Sequence, residues 1–434
     1  MTVISHELLE AAVNRMPEDA LTSARKAALA QFSKSSFPTI RDENWKYTNL
    51  SRAVELSNTW LENGGVSSFE TKLTAATEQA IKKITESVDA HWIVIANGNA
   101  TCDTLSGAKP LKSYGIDITK LSNNKMNSAI IADDQMTSFN VALLQDGLRV
   151  KVYPSTKMTK PLGFMFVDEA GRNDLSQARL IIDVEAGTKI NIIEAHVSVG
   201  STAQFANTVI QLHVSNDACV DFVRIQERAD SHIHIGKLIA DLQRDASFNY
   251  ANFDFGGSLI RNDVVINIME PGASVNLHGL YLATANQHID NHTRIDHSVG
   301  PAKSREEYRG ILSDRSRCVF NGKVIVNKGA DGTDAEQSNH NLLLSEMAEI
   351  DTKPELEIYA DDVKCAHGAT VGQLDQSALF YLRSRGIGQN EAAQLLTRAF
   401  AAQILAMIPI ATMRSYIDKT TNRHLDSLIN CSPQ

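Results

Sequence analysis

The chain has 434 residues, 43% of them hydrophobic and 21% charged, with a formal net charge of -9. That length supports a large core built from two or three structural units. The acidity argues against nucleic acid or an anionic membrane as the main partner and favours protein. No basic stretch precedes an apolar core in Met1–Glu7, and the longest apolar run, Ile404 to Met413, is too short to span a bilayer, so a cytoplasmic location is expected.

Residues 1–34 are rich in Ala, Leu, Glu and Lys and read as amphipathic helix interrupted by Pro17. A second helical stretch is expected over 69–87, with Leu73, Ile81 and Ile84 on its apolar side, which makes 1–134 a mainly helical region. Between the two lies Glu43-Asn44-Trp45-Lys46-Tyr47-Thr48, whose Trp and Tyr read as packing anchors. From 135 to 372 helix signals fade into short β-branched runs punctuated by Gly, Asp and Asn. A weak repeat emerges there: turn residue, small residue, any residue, apolar, Asn or Asp, apolar. It begins at Gly187, Asp217, Asp245 and Gly272, which are 30, 28 and 27 residues apart. A period of that size signals stacked supersecondary units, and a β-solenoid fits it best. From 373 to 434 the helical period returns, with Leu396, Phe400, Ile404 and Ile408 four residues apart, Asn390 as a candidate cap and Pro409 as a break. Six basic residues (Arg383, Arg385, Arg398, Arg414, Lys419, Arg423) against four acidic ones give this unit a net +2 on an otherwise acidic chain; a solvated face and a docking surface both remain open.

The chemistry concentrates in Asp361-Asp-Val-Lys-Cys365-Ala-His367-Gly-Ala-Thr-Val-Gly372. In an extended segment, residues two apart share a face at roughly 6–7 Å between Cα atoms, so Cys365 and His367 could reach one metal or cluster. The alternative is a buried thiol and a hydrogen-bonded strand histidine. Five cysteines (Cys102, Cys219, Cys318, Cys365, Cys431), odd in number and never in a CxxC, support neither a disulfide framework nor a self-contained cluster site, so a cluster here must borrow ligands. His278, His288, His292 and His297 form a second group, but in an extended chain His297 faces away from His288 and His292; a hydrogen-bonded rung with Asp290 and Asp296 as partners is the better reading. Gly236-Lys237 and Gly322-Lys323 lack the rest of a phosphate loop, and neither GxSxG nor HExxH occurs, so the chain is not expected to hydrolyse ATP or to be an enzyme. Glu355, Glu357, Asp361 and Asp362 are the one set that would suit a carbohydrate-active β-helix enzyme, which is the remoter alternative.

The run from Ala335 to Ser345, through Lys353–Ile358 and Asp361–Gly372 to Leu379–Ile387, together with Glu43–Thr48, closely resembles the SufB/SufD family of the SUF iron–sulfur cluster assembly system, on its SufD side. The resemblance is strongest over 270–390 and weak before 130. It implies a right-handed parallel β-helix between helical domains, pairing with SufB through the solenoid, docking of the ATPase SufC on the C-terminal helices around Phe380, Leu382, Arg383 and Arg385, and a nascent cluster received at the SufB interface by His367, with Cys365 a further candidate. Reduced flavin has been linked to such complexes, though no flavin motif occurs here. The family's other branch, SufB, carries a cysteine where this chain has Asn339, beside His340. An amide cannot replace a thiolate, so an assisting subunit is expected in preference to an autonomous SufB-like scaffold. Whether the isolated chain forms a homodimer is not legible.

Overall fold

The computed structural model describes residues 3–65, 73–100, 109–123, 130–154, 156, 158–169 and 175–430; Cys102 and Cys431 lie outside them. Its core is a parallel β-solenoid of about eight turns, in which successive strands alternate between two sheets. Sheet A stacks β1 (His91–Ala96), β5 (Leu162–Glu169), β7 (Lys189–Val199), β9 (Cys219–Arg228), β11 (Ser247–Gly256), β13 (Ser274–Ala283), β15 (Lys303–Leu312), β17 (Asp334–Leu343) and β19 (Lys364–Gly372), with β2 (Asn99–Ala100) on its first edge. Sheet B stacks β3 (Ile116–Lys120), β4 (Leu148–Val152), β6 (Leu175–Val184), β8 (Phe205–Val214), β10 (Ile233–Leu242), β12 (Leu259–Ile268), β14 (His288–His297), β16 (Arg317–Val326) and β18 (Glu349–Ile358).

The sequence repeat marks the rungs of sheet A. Its first residue takes a left-handed backbone at every occurrence: Gly187 (φ 67), Asp217 (φ 59), Asp245 (φ 55) and Gly272 (φ 85). Glycine and aspartate are among the residues that tolerate this conformation, which is why they recur there. The apolar fourth and sixth positions stack in register, Ile190 with Val220, Phe248 and Val275, and Ile192 with Phe222, Tyr250 and Leu277. All eight lie in the interior cluster between the sheets. The fifth position points outward and builds an amide ladder, Asn276 Nδ2 donating to Asn249 Oδ1 at 2.8 Å and Asn249 Nδ2 to Asp221 Oδ1 at 2.7 Å.

Helices cover the outer faces. The N-terminal α1 (His6–Asn14, capped by Ser5), α2 (Thr22–Ser35), α3 (Ser51–Glu62) and α5 (Gln135–Ala142, with a capping box between Asp134 and Thr137) pack Phe32, Trp60 and Phe139 against Phe205, Ile233, Ile235 and Leu259 of sheet B. On sheet A, α4 (Ala75–Ser87), α7 (Gln389–Leu405), α8 (Ala411–Asn430) and the turn between the last two bring Ile84, Ile404, Ile408, Met413 and Ile417 onto Met165, Val197, Ile225 and Phe253. Gly388, not Asn390, is the cap of α7, and Pro409 falls between α7 and α8. Within the segment expected to be mainly helical, β1, β2 and β3 close the first rung by antiparallel pairing. The Glu43–Thr48 segment straps sheet B: Arg261 stacks on the Trp45 ring at 3.8 Å and Thr48 donates to Asp290.

The two ends of the stack differ. At the first, β2 and β3 are antiparallel caps, while at the last, among the described residues, β18 pairs only with β16 and β19 only with β17. From Ala366 to Gly372 every residue of β19 is exposed, and Ile358, Tyr359 and Val371 present apolar side chains at 43%, 61% and 48% exposure.

The left-handed turn positions yield a direct check of the rung assignment. Asp217→Gly should leave stability within about 0.5 kcal/mol, whereas Asp217→Val should cost roughly 1–2 kcal/mol, because a β-branched residue is strained at positive φ. Equal urea midpoints for the two variants would contradict the assignment.

Candidate functional site

The inward columns change character toward the open end. The fourth-position column continues from Val275 through Ser304 and Ala335 to Cys365, and the sixth-position column from Leu277 through Glu306 and Gln337 to His367. Cys365 and His367 therefore share the inner face of β19, as alternation along a strand requires. Cys365 is half-buried against the interior cluster and His367 is exposed at the mouth. Burial raises the Cys365 thiol above its ordinary pKa, so it is protonated at neutral pH and would have to lose a proton to ligate. Among the described residues no group of three or more His, Cys, Asp or Glu side chains is arranged to hold a metal ion.

Beneath this mouth the interior is polar. Gln337 Nε2 donates to Glu306 Oε2 at 2.8 Å. Asn339 is fully buried on β17, with its amide given to Tyr281 Oη and the Tyr308 carbonyl and its oxygen accepting from Asn341 and Thr352. The position where a thiolate was expected to be missing is thus a structural amide. Inward glycines make the room: a Cβ at Gly322 would fall 1.7 Å from Gln337 Nε2, and one at Gly279 2.1 Å from the Tyr308 ring. Deeper in, Arg224 pairs with Asp254 at 2.8 Å, Arg228 with Asp168 at 2.5 Å, and His196 with Glu194 at 2.5 Å. Burial pushes the Glu194 and Glu306 carboxyls up to about 7, and burial together with neighbouring positive charge holds His196 and His234 well below the usual imidazole range. The two Arg–Asp ion pairs are weak sources of net stability but costly to break singly.

The second histidine group does not converge. His288 contacts Thr48 Oγ1 at 3.0 Å and His292 pairs with Asp290 at 2.9 Å on the outer face of β14. His297 lies inside against Ser304, and Asp296 pairs with Arg294 and with none of the histidines. Glu355 and Glu357 are held by Lys353 and Lys323. A groove of about 590 Å³ beneath Glu43–Trp45 is lined by ions that neutralise one another, Lys237 with Asp133 and Asp134, and Lys353 with Glu43.

Helix α6 (Gln376–Ser384), capped by Asp375, buries no residue. Phe380 is 73% exposed and Tyr381 57%, Leu382 is half-buried, and Arg383 and Arg385 are exposed. Beside it opens a groove of about 780 Å³ lined by Leu343, Leu344, Met347, Leu374 and Leu379. Sequence reasoning did not single out Glu306 or Gln337. Extending the repeat through the turns before Lys303, Asp334 and Lys364 would have placed both in the column that ends at His367.

Glu306 makes the stability of the fold depend on pH with a definite sign. Between about pH 4.5 and 7 the folded chain keeps a proton at Glu306 that the unfolded chain has released, so this group's contribution is full below pH 4.5 and is lost as the pH rises through 7. Glu306→Gln should therefore gain on the wild type by on the order of 1 kcal/mol per pH unit across that window in urea titrations. A gap between the two that is constant with pH would show that Glu306 ionises normally.

Comparison with known proteins agrees with this architecture. Residues 166–400 match the SUF system FeS cluster assembly, SufBD core domain, and residues 6–99 the SufBD protein N-terminal region. The chain is 31% identical over 380 residues to the iron–sulfur cluster assembly protein SufD of Escherichia coli (strain K12), covering 87% of this chain and 86% of that protein. An iron–sulfur cluster assembly SufBD family protein of Synechocystis sp. is 28% identical over 93% of this chain and 91% of its own length, and the SufD of Bacillus subtilis (strain 168) 24% over 97% and 98%. No helix among the described residues is long and apolar enough to cross a membrane. With a core-domain match spanning more than half its length, the chain belongs to the SufBD family of SUF-system iron–sulfur cluster assembly proteins.

Proposed function

We propose that this chain is a SufD-like, non-catalytic subunit that pairs with SufB across the open end of its solenoid, offers His367 to a nascent iron–sulfur cluster shared at that interface, and docks the ATPase SufC on its C-terminal unit, 373–434. The observation that carries the reading is the coincidence of two features at one end of the stack: unpaired strand edges on β18 and β19, and a soft-ligand pair facing into the mouth they surround. An exposed parallel edge is an assembly liability unless a partner covers it. A second solenoid of the same family supplies the matching edge.

The cluster is cargo here, built and passed on. His367 would donate a neutral imidazole nitrogen, and the thiolates that dominate iron–sulfur ligation would come from the partner. Cys365, raised in pKa and half-buried, is the weaker candidate. For SufC, support comes from α6, an amphipathic helix with no buried side chain, whose Phe380 and Leu382 lie close to Arg383 and Arg385, beside a groove of mixed polar and apolar lining. Nucleotide-driven closure of paired SufC subunits would bias the SufB interface between two arrangements through differential affinity.

Three outcomes check this. Expressed with both partners, the chain should elute in a complex of one copy, one SufB and two SufC; a strictly monomeric elution contradicts it. Reversing charge at Arg383 and Arg385 should weaken SufC binding measured by calorimetry with the melting temperature unchanged, and unaltered affinity rejects the dock. His367→Ala should leave the complex assembled and ATP hydrolysis intact but lower the iron and sulfide recovered on it, with Cys365→Ser having the smaller effect. Wild-type iron and sulfide on His367→Ala complexes of matched stoichiometry would remove the cluster role.

A further inference from the structure

Glu306 and Gln337 are 3% and 1% exposed, and they occupy positions that the preceding rungs fill with Phe222, Tyr250 and Leu277. Two polar side chains in an apolar column carry a cost that their single mutual hydrogen bond only partly offsets. The bare Cα of Gly322 on the opposite sheet is what admits the Gln337 amide at all. One consequence of the pairing is directional. The Glu306 oxygen takes the amide N–H, so Gln337 is fixed with its Nε2 toward β15 and its oxygen left over. That Oε1 is buried and has no hydrogen-bond partner among the described residues. The next residue in the column, one rung out at roughly 4.8 Å between strands, is His367.

Resting on the reading of His367 as a cluster ligand, we infer that Gln337, oriented by Glu306, is a positioning residue that accepts the His367 ring N–H and so turns the other ring nitrogen toward the cluster. A metal-bound imidazole commonly places its second N–H on an acceptor, which sets tautomer and ring orientation. Among the described residues the column holds two buried oxygens without a hydrogen-bond partner, Glu306 Oε1 and Gln337 Oε1, and the Gln337 oxygen is the one a single rung from His367. His367 thus belongs to a chain of three groups in which each N–H points one rung inward: imidazole to amide, amide to carboxyl.

The test reads the tautomer of His367 in the full chain without any cluster, by two-bond proton–nitrogen correlation of nitrogen-labelled histidine at a pH where the ring is neutral, with the resonance assigned from His367→Ala. The wild type should give two well-separated ring-nitrogen shifts, one protonated and one bare. Gln337→Leu, similar in volume, should collapse them toward the averaged shifts of a freely exchanging imidazole. Glu306→Gln keeps an acceptor for the Gln337 amide and should retain the separation; Glu306→Leu frees the amide and should lose it. Gly322→Ala, which displaces Gln337 without changing its chemistry, gives the same loss by another route if Gln337→Leu folds poorly. Averaged shifts in the wild type, or separated shifts that survive both Gln337→Leu and Gly322→Ala, overturn the inference. The two readings fail separately. Lost iron in His367→Ala with a tautomer indifferent to Gln337 removes only the positioning role, and a fixed tautomer with full iron in His367→Ala removes only the cluster role.

Discussion

Each rung of the solenoid hands its backbone hydrogen bonds to the next, and the stack ends at β18 and β19 with no strand among the described residues to receive them. A parallel strand cannot fold its own edge away with a tight turn, because its connection must cross over to reach the next rung. The first end of the stack solves this with antiparallel caps, β2 on β1 and β3 on β4. The last end has no such device, and its final strand is exposed from Ala366 onward. Everything distinctive about the candidate site follows from that asymmetry, since an inward column that is buried in mid-stack becomes exposed at His367.

The interior is tuned to the same gradient. Mid-stack, Arg224 with Asp254 and Arg228 with Asp168 are buried as ion pairs whose loss singly would be expensive, beside a neutral His196 in contact with Glu194. Toward the open end, charge gives way to amides and a single carboxyl, with Asn339, Asn341, Gln337 and Glu306 threaded between glycines 279, 310 and 322. The helical layers contribute rigidity and reach. One straps sheet B through Trp45 and Arg261, the other covers sheet A and leaves Phe380 and Tyr381 of α6 exposed.

Much of this was legible in the sequence, for identifiable reasons. The rung period could be read because aspartate or glycine recurs where φ must be positive and because apolar side chains recur two apart, as at Val220 and Phe222. The shared face of Cys365 and His367 follows from strand periodicity alone. Hydrophobic patterning loses the repeat after Gly272, since Ser304 and Glu306, then Ala335 and Gln337, replace the apolar pair. A reading keyed to hydrophobicity stops where the candidate site begins. The first strands escaped because His91–Ala96 is one short apolar run lodged between helical segments, and α5 because nearly all its residues are buried, which erases the amphipathic signature.

The account stands on the open end being an interface. Amide hydrogen exchange of the chain alone and in complex with SufB measures this directly. The outward-facing N–H groups of β18 and β19, Glu349–Ile358 and Lys364–Gly372, should exchange fast in the free chain and become protected on assembly, while the rungs around β9 to β12 stay unchanged. Unaltered exchange along both terminal strands in a complex that demonstrably contains SufB would contradict the account.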